Sequence, residues 1–351
     1  MTRGKGWTGA VRRRRWTVTA IGVAALAAMT LLSAQGCAPV PDADAATSAS
    51  HSVTFAGART VYQNYLTVSD AAVAQGDQTS ALSVVTSAQW AQTKSQYAAL
   101  AVAGTAVPRY RYGTPTFYVP TLSGYPQWFA VAVNRTTVTR GKPGATSSTL
   151  MLFARAKKAV GWTLGGTAVL SRPLPAIARG ADGYAIAVPT ADSALLLRPD
   201  VVGATHAAVV DDGPTSPAAA VVAAGPQTTG LHTAQAARAA EEQARGLQYQ
   251  WLLQGTTWPQ VGLRLADGGA LILYGMYLNT GTEHPDLVEG APIPVPAAFT
   301  PLLGEPTEIG YHEVLANWAY QFAAVDPPAT ARDAKLDIIG WQSGPSLGHA
   351  Y

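Results

Sequence analysis

The chain has 351 residues with 24 Lys or Arg against 21 Asp or Glu, a formal net charge of +3, charged residues at only 13% and a single cysteine. Six of the basic residues stand in the first 36 positions, which hold no acidic residue, so the remainder carries 18 basic against 21 acidic groups, a balance of −3. A body without a basic surplus lacks the footprint of a nucleic-acid reader, and one thiol excludes an internal disulfide, leaving hydrophobic burial to hold the fold.

The first element is a leader. Arg12, Arg13, Arg14 and Arg15 precede an uncharged run over residues 16–34, and Gln35-Gly36-Cys37 follows. A basic end, an apolar middle and small residues at the exit make an export signal. With Ala34-Gln35-Gly36-Cys37 in the place of the lipobox, residues 1–36 resemble a bacterial lipoprotein signal peptide. That resemblance implies acylation of Cys37 and a body moored to the cell membrane on its extracytoplasmic side. An uncleaved helix is the alternative, because a run of this length also spans a bilayer and its arginines would hold the cytoplasmic end. The arginine run leaves the export route, general secretory or twin-arginine, open. Residues 37–53, rich in Ala, Pro, Ser and Asp, have no apolar period and read as a flexible tether.

Next come helices. Phe55, Ala58, Tyr62, Tyr65, Ser69 and Val73 recur at helical spacing, with Val61 and Leu66 widening the stripe. Gly76 is placed to end that helix in a left-handed conformation and Asp77 to cap the next. Residues 78–102 read as helix, with a period that blurs over 87–93. From Val107 the pattern turns to strands: an irregular or edge strand over 110–119 interrupted by Gly113 and Pro115, then 127–134, 150–157 and 161–170 as a meander. Helices followed by adjacent strands indicate an α+β fold, helices packed on a curved, mainly antiparallel sheet.

The second half repeats this order loosely. Residues 184–197 read as paired short strands, 201–224 are ambiguous, and 229–254 read as the best helix of this half. A hairpin follows: Val261, Leu263 and Leu265 alternate, Asp267-Gly268 is expected as a type I′ turn, and 271–278 returns. A polar, Pro-rich insertion over 280–306 leads to strands at 312–322 and 335–341. Pro126-Gln127 and Pro259-Gln260 each open a corresponding strand, an echo of duplication. The expected organisation is therefore a module over 54–172, a similar module over 173–345 and a tail over 346–351. This element order is similar to the cone-like nuclear transport factor 2 superfamily in tandem. The whole chain resembles an actinobacterial lipoprotein family with a domain of unknown function, which implies an anchored, exported α+β protein.

Motifs for chemistry are sparse. Gly344-Pro345-Ser346-Leu347-Gly348 matches G-x-S-x-G, but a nucleophile elbow needs a strand, a sharp turn and a helix, with partners downstream. Only three residues follow, so the match reads as coincidence. His312-Glu313 opens like a zinc-protease helix, yet Ala316 stands where the second histidine belongs. Glu283-His284-Pro285-Asp286 reads as a solvated loop. No metal or cofactor is expected. Tyr112, Tyr118, Trp128 and Trp162 on a concave first sheet, with Asp77 at the helix junction, form a candidate pocket lining, against which stands plain core packing.

The leading functional expectation is a non-enzymatic, lipid-tethered module that binds a ligand or a protein at the outer membrane face. One alternative is an enzyme acting through a cone-shaped pocket with Asp77 as general base, which needs a carboxyl pKa raised by burial. Another is the solute receptor of an importer, which predicts strand–helix alternation that these adjacent strands do not show.

Overall fold

The computed structural model describes residues 53–139, 141–285, 293–303, 308–309 and 312–350. The leader, Cys37, all but the last residue of the expected tether, and Asp286 of the acidic loop lie outside them. Residues 50–351 form one compact unit.

Helices α1 (Phe55–Gln75), α2 (Gln78–Ser83) and α3 (Ser87–Ala103) come first. Thr54 starts α1 by accepting from the Gly57 amide at 3.1 Å, and Gly76 ends it at φ 66°, a left-handed conformation that costs a residue without Cβ little. Asp77 caps α2 through the Ser80 amide at 3.1 Å. The segment expected as one blurred helix is thus two, and α3 explains the blur: its buried face includes Gln89, Gln92, Thr93 and Ser95.

Strands β1 (Arg109–Tyr112), β2 (Thr116–Tyr118), β3 (Gln127–Thr139), β4 (Lys142–Arg155) and β5 (Thr163–Leu170) complete the first half. The second half comprises β6 (Ala187–Val188), α4 (Pro199–Asp212), a 3-10 turn (Pro217–Ala220), α5 (Thr229–Ala244), β7 (Gln248–Gly255), β8 (Val261–Arg264), β9 (Ala270–Glu283), β10 (Ile293–Pro294), α6 (Thr300–Leu303), β11 (Glu308–Ile309), β12 (Glu313–Asp326) and β13 (Asp337–Ala350). The fold is α+β. Eleven strands make one sheet in the order β1-β3-β4-β5-β13-β12-β9-β8-β6, with β2 also on β3 and β7 also on β9. Every strand ladder is antiparallel.

Over its central part the sheet is buried on both faces, so the long strands there split their side chains between clusters, whereas residues 142–146 of β4 and much of β7 stay exposed. In β3, Phe129, Val131 and Val133 face α1 and Tyr62, whereas Trp128 and Ala130 face the opposite way. In β9, Ile272, Tyr274, Met276 and Leu278 pack toward α4 and α5, whereas Leu271 and Leu273 turn to the other side. Those opposite sides meet: Trp128, Leu150 and Leu152 share one cluster with Leu263, Leu271, Leu273 and Ile339. Two modules in tandem are not confirmed, since one sheet and one central cluster serve both halves.

Several expectations differ in detail. The helix expected over 229–254 stops at Ala244, Gly246 turns the chain at φ 79°, and β7 takes the rest. The Asp267-Gly268 turn is not type I′, because Gly268 alone has positive φ, at 89°. Leu265 closes it by donating to Gly269 O at 2.9 Å. Residues 184–197 hold one two-residue strand only. The segment expected as a tail continues β13 to Ala350, so Gly344 to Gly348 lie in strand paired to β12, with Ser346 Oγ donating to Asn317 O at 2.8 Å. Pro345 is tolerated there because β13 pairs with β5 only at Gly340 and Trp341, leaving that edge without a ladder. Residues 201–224 hold most of α4, which Pro199 starts at its first turn. Its buried stripe of Val202, His206, Val209 and Val210 has helical spacing with a histidine in it.

His206 is fully buried. Its Nε2 lies 2.6 Å from Gln227 O and must donate to it, so Nδ1 accepts from the Tyr274 hydroxyl at 3.0 Å. Desolvation pushes its pKa down to about 4 from 6.5. The folded state therefore holds it neutral where the unfolded chain protonates it. Its contribution is complete above pH ~6.5 and is lost as pH falls through ~4, each tenfold difference in proton affinity between the two states being worth about 1.4 kcal/mol. Urea unfolding of wild type and His206→Gln between pH 4 and 7 checks this: the wild type should lose more stability on acidification, and parallel profiles would contradict it. At Gly344 an added Cβ would stand 2.9 Å from Gln92 Cγ. Gly344→Val should cost about 1–3 kcal/mol by forcing α3 off β13, seen as a lower thermal midpoint by circular dichroism.

Candidate functional site

The first half holds a cavity beneath α1 and α3. Tyr65 and Ser69 on α1, Gln89, Thr93 and Tyr97 on α3, Tyr110 and Tyr112 on β1, Arg135 on β3, Thr167 on β5 and Gln342 on β13 line an inner space of about 50 Å³. An outer space of about 230 Å³ adjoins it, sharing Ser69, Tyr110 and Tyr112 and adding Leu66, Asp70 and Arg109. At this rim Arg109 Nη2 pairs with Asp70 Oδ1 at 2.6 Å.

Arg135 is the chemical centre. It is 9% exposed. Its Nη2 donates to Gln342 Oε1 at 2.5 Å, and its guanidinium lies 4.4 Å from the centre of the Tyr110 ring. Gln342 Nε2 in turn donates to Gln92 Oε1 at 2.6 Å, and Gln92 Nε2 reaches Ala319 O at 3.3 Å. The buried polar face of α3 therefore anchors the arginine through a relay of amides. Thr167 Oγ1 donates to Gln89 Oε1 at 2.9 Å on the neighbouring wall. No carboxylate pairs with Arg135 among the described residues, and its Nε is buried without a partner, as is the Tyr97 hydroxyl.

The phenols around it are neutral donors. Burial raises the pKa of Tyr65, whose hydroxyl is tied to Ser69 and Tyr112, and raises Tyr112 well above the usual phenol value. Burial likewise raises Tyr97, with the Asp77 charge adding to it. None supplies a negative charge at neutral pH.

A second cavity of about 410 Å³ lies between α5 and the second-half strands, lined by Gln235, Arg238, Tyr249, Thr280, Trp318 and Tyr320 among others. Here the charge is answered within the chain: Glu242, fully buried, pairs with Arg238 and, at 3.1 Å, with Arg245. Tyr249 donates to Gln235 Oε1 at 2.6 Å.

The five residues picked from sequence do not gather. Tyr112 lines both spaces of the first cavity. Trp128 lies in the central cluster, and Tyr118 packs at its edge under the Arg179 guanidinium at 5.3 Å. Trp162 packs tilted against Phe129 at 5.2 Å and under Arg155 at 5.1 Å. Asp77 is a helix cap whose carboxyl is held below its usual pKa, first by the Ser80 hydroxyl and then by the Ser80 amide. A general base needs the opposite shift. Sequence reasoning missed Arg135 and Gln342. An arginine continuing an apolar strand was the available signal for the first.

Among the described residues no three His, Asp or Glu side chains gather as a metal site. Glu313 on β12 stands opposite Glu283 on β9, where burial and then that like charge raise its pKa. No helix among the described residues is long and apolar enough to cross a membrane.

One relative is an uncharacterized lipoprotein of Streptomyces avermitilis, 26% identical over 234 residues, which are 65% of this chain. The match spans 64% of that relative's length. No solved structure is significantly similar, and nuclear transport factor 2-like modules are not confirmed. The α+β body described above coincides with a family match over residues 49–343, and the chain thus belongs to the family described as a domain of unknown function, DUF8094.

Proposed function

We propose that this chain is a lipid-anchored protein on the extracytoplasmic side of the cell membrane whose body binds a ligand without transforming it. The anchor reading rests on Cys37 behind its basic and apolar leader and on the lipoprotein name of the relative. Two acyl chains hold a protein stably where one does so only marginally, each buried methylene contributing about 0.8 kcal/mol. The binding reading is carried by one observation: Arg135 Nε and the Tyr97 hydroxyl, both buried in the wall of one cavity, have no partner among the described residues. Leaving a buried polar group unsatisfied costs about 1–3 kcal/mol, a cost that a ligand contacting either would relieve. Asp77, the general base of the enzymatic alternative, is a low-pKa cap, which weighs against that alternative.

The strand order also supports two related units. Each half sends short strands (β1 and β2, or β7 and β8) onto one side of its first long strand, then continues through a three-strand meander to β5 or β13. The order reads alike from either end of the sheet toward its middle.

Two measurements test this. In cells making the full chain, wild type should pellet with membranes, be open to protease added outside, and show a diacylated cysteine at the mature N-terminus by mass spectrometry. Cys37→Ser should move to the soluble fraction. Retention of that variant, or an unmodified thiol on an intact leader, overturns the anchor. For the body, small molecules that raise the thermal midpoint of the full chain in detergent should be recovered unchanged, and their conversion overturns the binding reading.

A further inference from the structure

We propose that the cavity beneath α1 and α3 receives the carboxylate end of a small monoanionic ligand, with Arg135 as its counter-charge. This rests on the binding reading and names its ligand class.

A guanidinium taken out of water demands an opposite charge, because an unpaired buried ion costs several kcal/mol. Buried charges answer this in different ways: Asp326 accepts from the Leu197 amide with its pKa raised to about 7, and part-buried Arg155 rests on the neutral Gln127 amide and the Tyr125 and Trp162 rings. Arg264 with Asp192, and Glu242 with Arg238 and Arg245, meet that demand by pairing inside the chain. Arg135 does not, although it is 91% removed from solvent by its 9% exposure. Its polar contact is the neutral Gln342 amide, and Asp70, the carboxylate lining the adjoining outer space, is engaged by Arg109. One uncompensated positive charge matches one negative charge. A planar fork with a free Nε suits a carboxylate, which guanidinium groups bind in two parallel hydrogen bonds.

Size agrees. The inner space of about 50 Å³ exceeds the roughly 10–15 Å³ needed by one water and so accommodates a group of a few heavy atoms. The adjoining 230 Å³, walled by Leu66, Val73, Pro108, Tyr110 and Tyr112 with Ser69 and the Arg109–Asp70 pair at its rim, then takes a short apolar or aromatic remainder. Around the head stand the neutral phenols of Tyr65 and Tyr112, both within electrostatic reach of Arg135, and elsewhere on the same wall the Tyr97 hydroxyl has no partner among the described residues. Gln342 and the relay behind it hold the guanidinium still, so the ligand meets a preorganised site.

The test uses the full chain in detergent at pH 7, titrated calorimetrically with butyrate and benzoate, with their amides butyramide and benzamide, and with inorganic phosphate. Wild type should bind the carboxylates and not the amides. Arg135→Gln should weaken carboxylate binding at least ten-fold, and Arg135→Lys, which keeps the charge without the fork, should fall between. Thermal midpoints of Arg135→Gln and Arg135→Met should equal or exceed wild type without ligand, because an unpaired buried charge has been removed. Equal binding of acids and amides overturns the charge assignment while leaving the binding reading intact. Tighter phosphate binding overturns the carboxylate class. Binding by Arg135→Gln at wild-type strength, no probe binding to wild type, or midpoints that drop sharply in both neutral variants each overturn the proposal, the last by making Arg135 a structural cation.

Discussion

The structure depends on one cluster of side chains that runs across both halves of the sheet, from β3 and β4 through β5, β13 and β12 to β9 and β8. Along the sheet itself the halves meet through β5 and β13 in two residue pairs, Leu170 with Gly340 and Val169 with Trp341. A ladder that short contributes a few backbone hydrogen bonds, each about 1 kcal/mol net. The cluster across them buries Trp128, Leu150, Leu152, Leu263, Leu271, Leu273 and Ile339 nearly completely. Each such large side chain is worth about 1.5–3 kcal/mol in burial, so side-chain packing, and not the ladder, holds the halves in register.

The same constraint places the polar site. Because the central cluster fixes β13 beside β5, Gln342 from the second half projects into the cavity of the first, where it meets Arg135 and Gln92. Gly344, two residues on, lets α3 come down close enough for the amide relay to close. The cavity is thus assembled from α1, α3, β1, β3, β5 and β13, and displacing either half would open it. Desolvation does the rest: it keeps the tyrosines protonated and leaves the guanidinium as the one charge among the described residues of the inner wall.

How far the sequence revealed this varied with the kind of residue doing the burying. Helix α1 was legible because Ala58, Tyr62 and Tyr65 are apolar at helical spacing and Gly76 ends the run. The β8–β9 hairpin was legible from strict alternation, though the turn type was not, because Asp-Gly serves more than one hairpin turn. Helix α3 blurred since Gln89, Gln92 and Thr93 take core positions that an apolar period cannot register, and α4 blurred because His206 stands in its stripe. Strand β7 follows α5 with no apolar break, and only Gly246 marks the boundary, although Tyr249, Trp251 and Leu253 alternate with Gln248, Gln250 and Gln254. The site suffered most. Apolar alternation ends at Asn134 in β3 and at Trp341 in β13, one residue short of Arg135 and Gln342 respectively. Polar residues at a strand's end look like the start of a loop until the opposing wall is known.

The two cavities differ in how they treat their charge. Each lies beneath helices and beside a short strand, β1 or β7, that carries a tyrosine to the wall, Tyr112 or Tyr249. Their long strands differ: β3 brings Arg135, whereas β9 brings Leu278, Thr280 and Thr282. In the second half the cation comes from α5 and is neutralised by Glu242 one turn along the same helix. An internal ion pair is satisfied in the folded chain and asks nothing of a ligand, whereas an unanswered guanidinium is a standing preference for one. If the halves descend from a single unit, the loss of the second cavity's free charge and the keeping of the first's divide the labour between them. One half then recognises, and the other supplies Gln342 and the shared core that make recognition rigid.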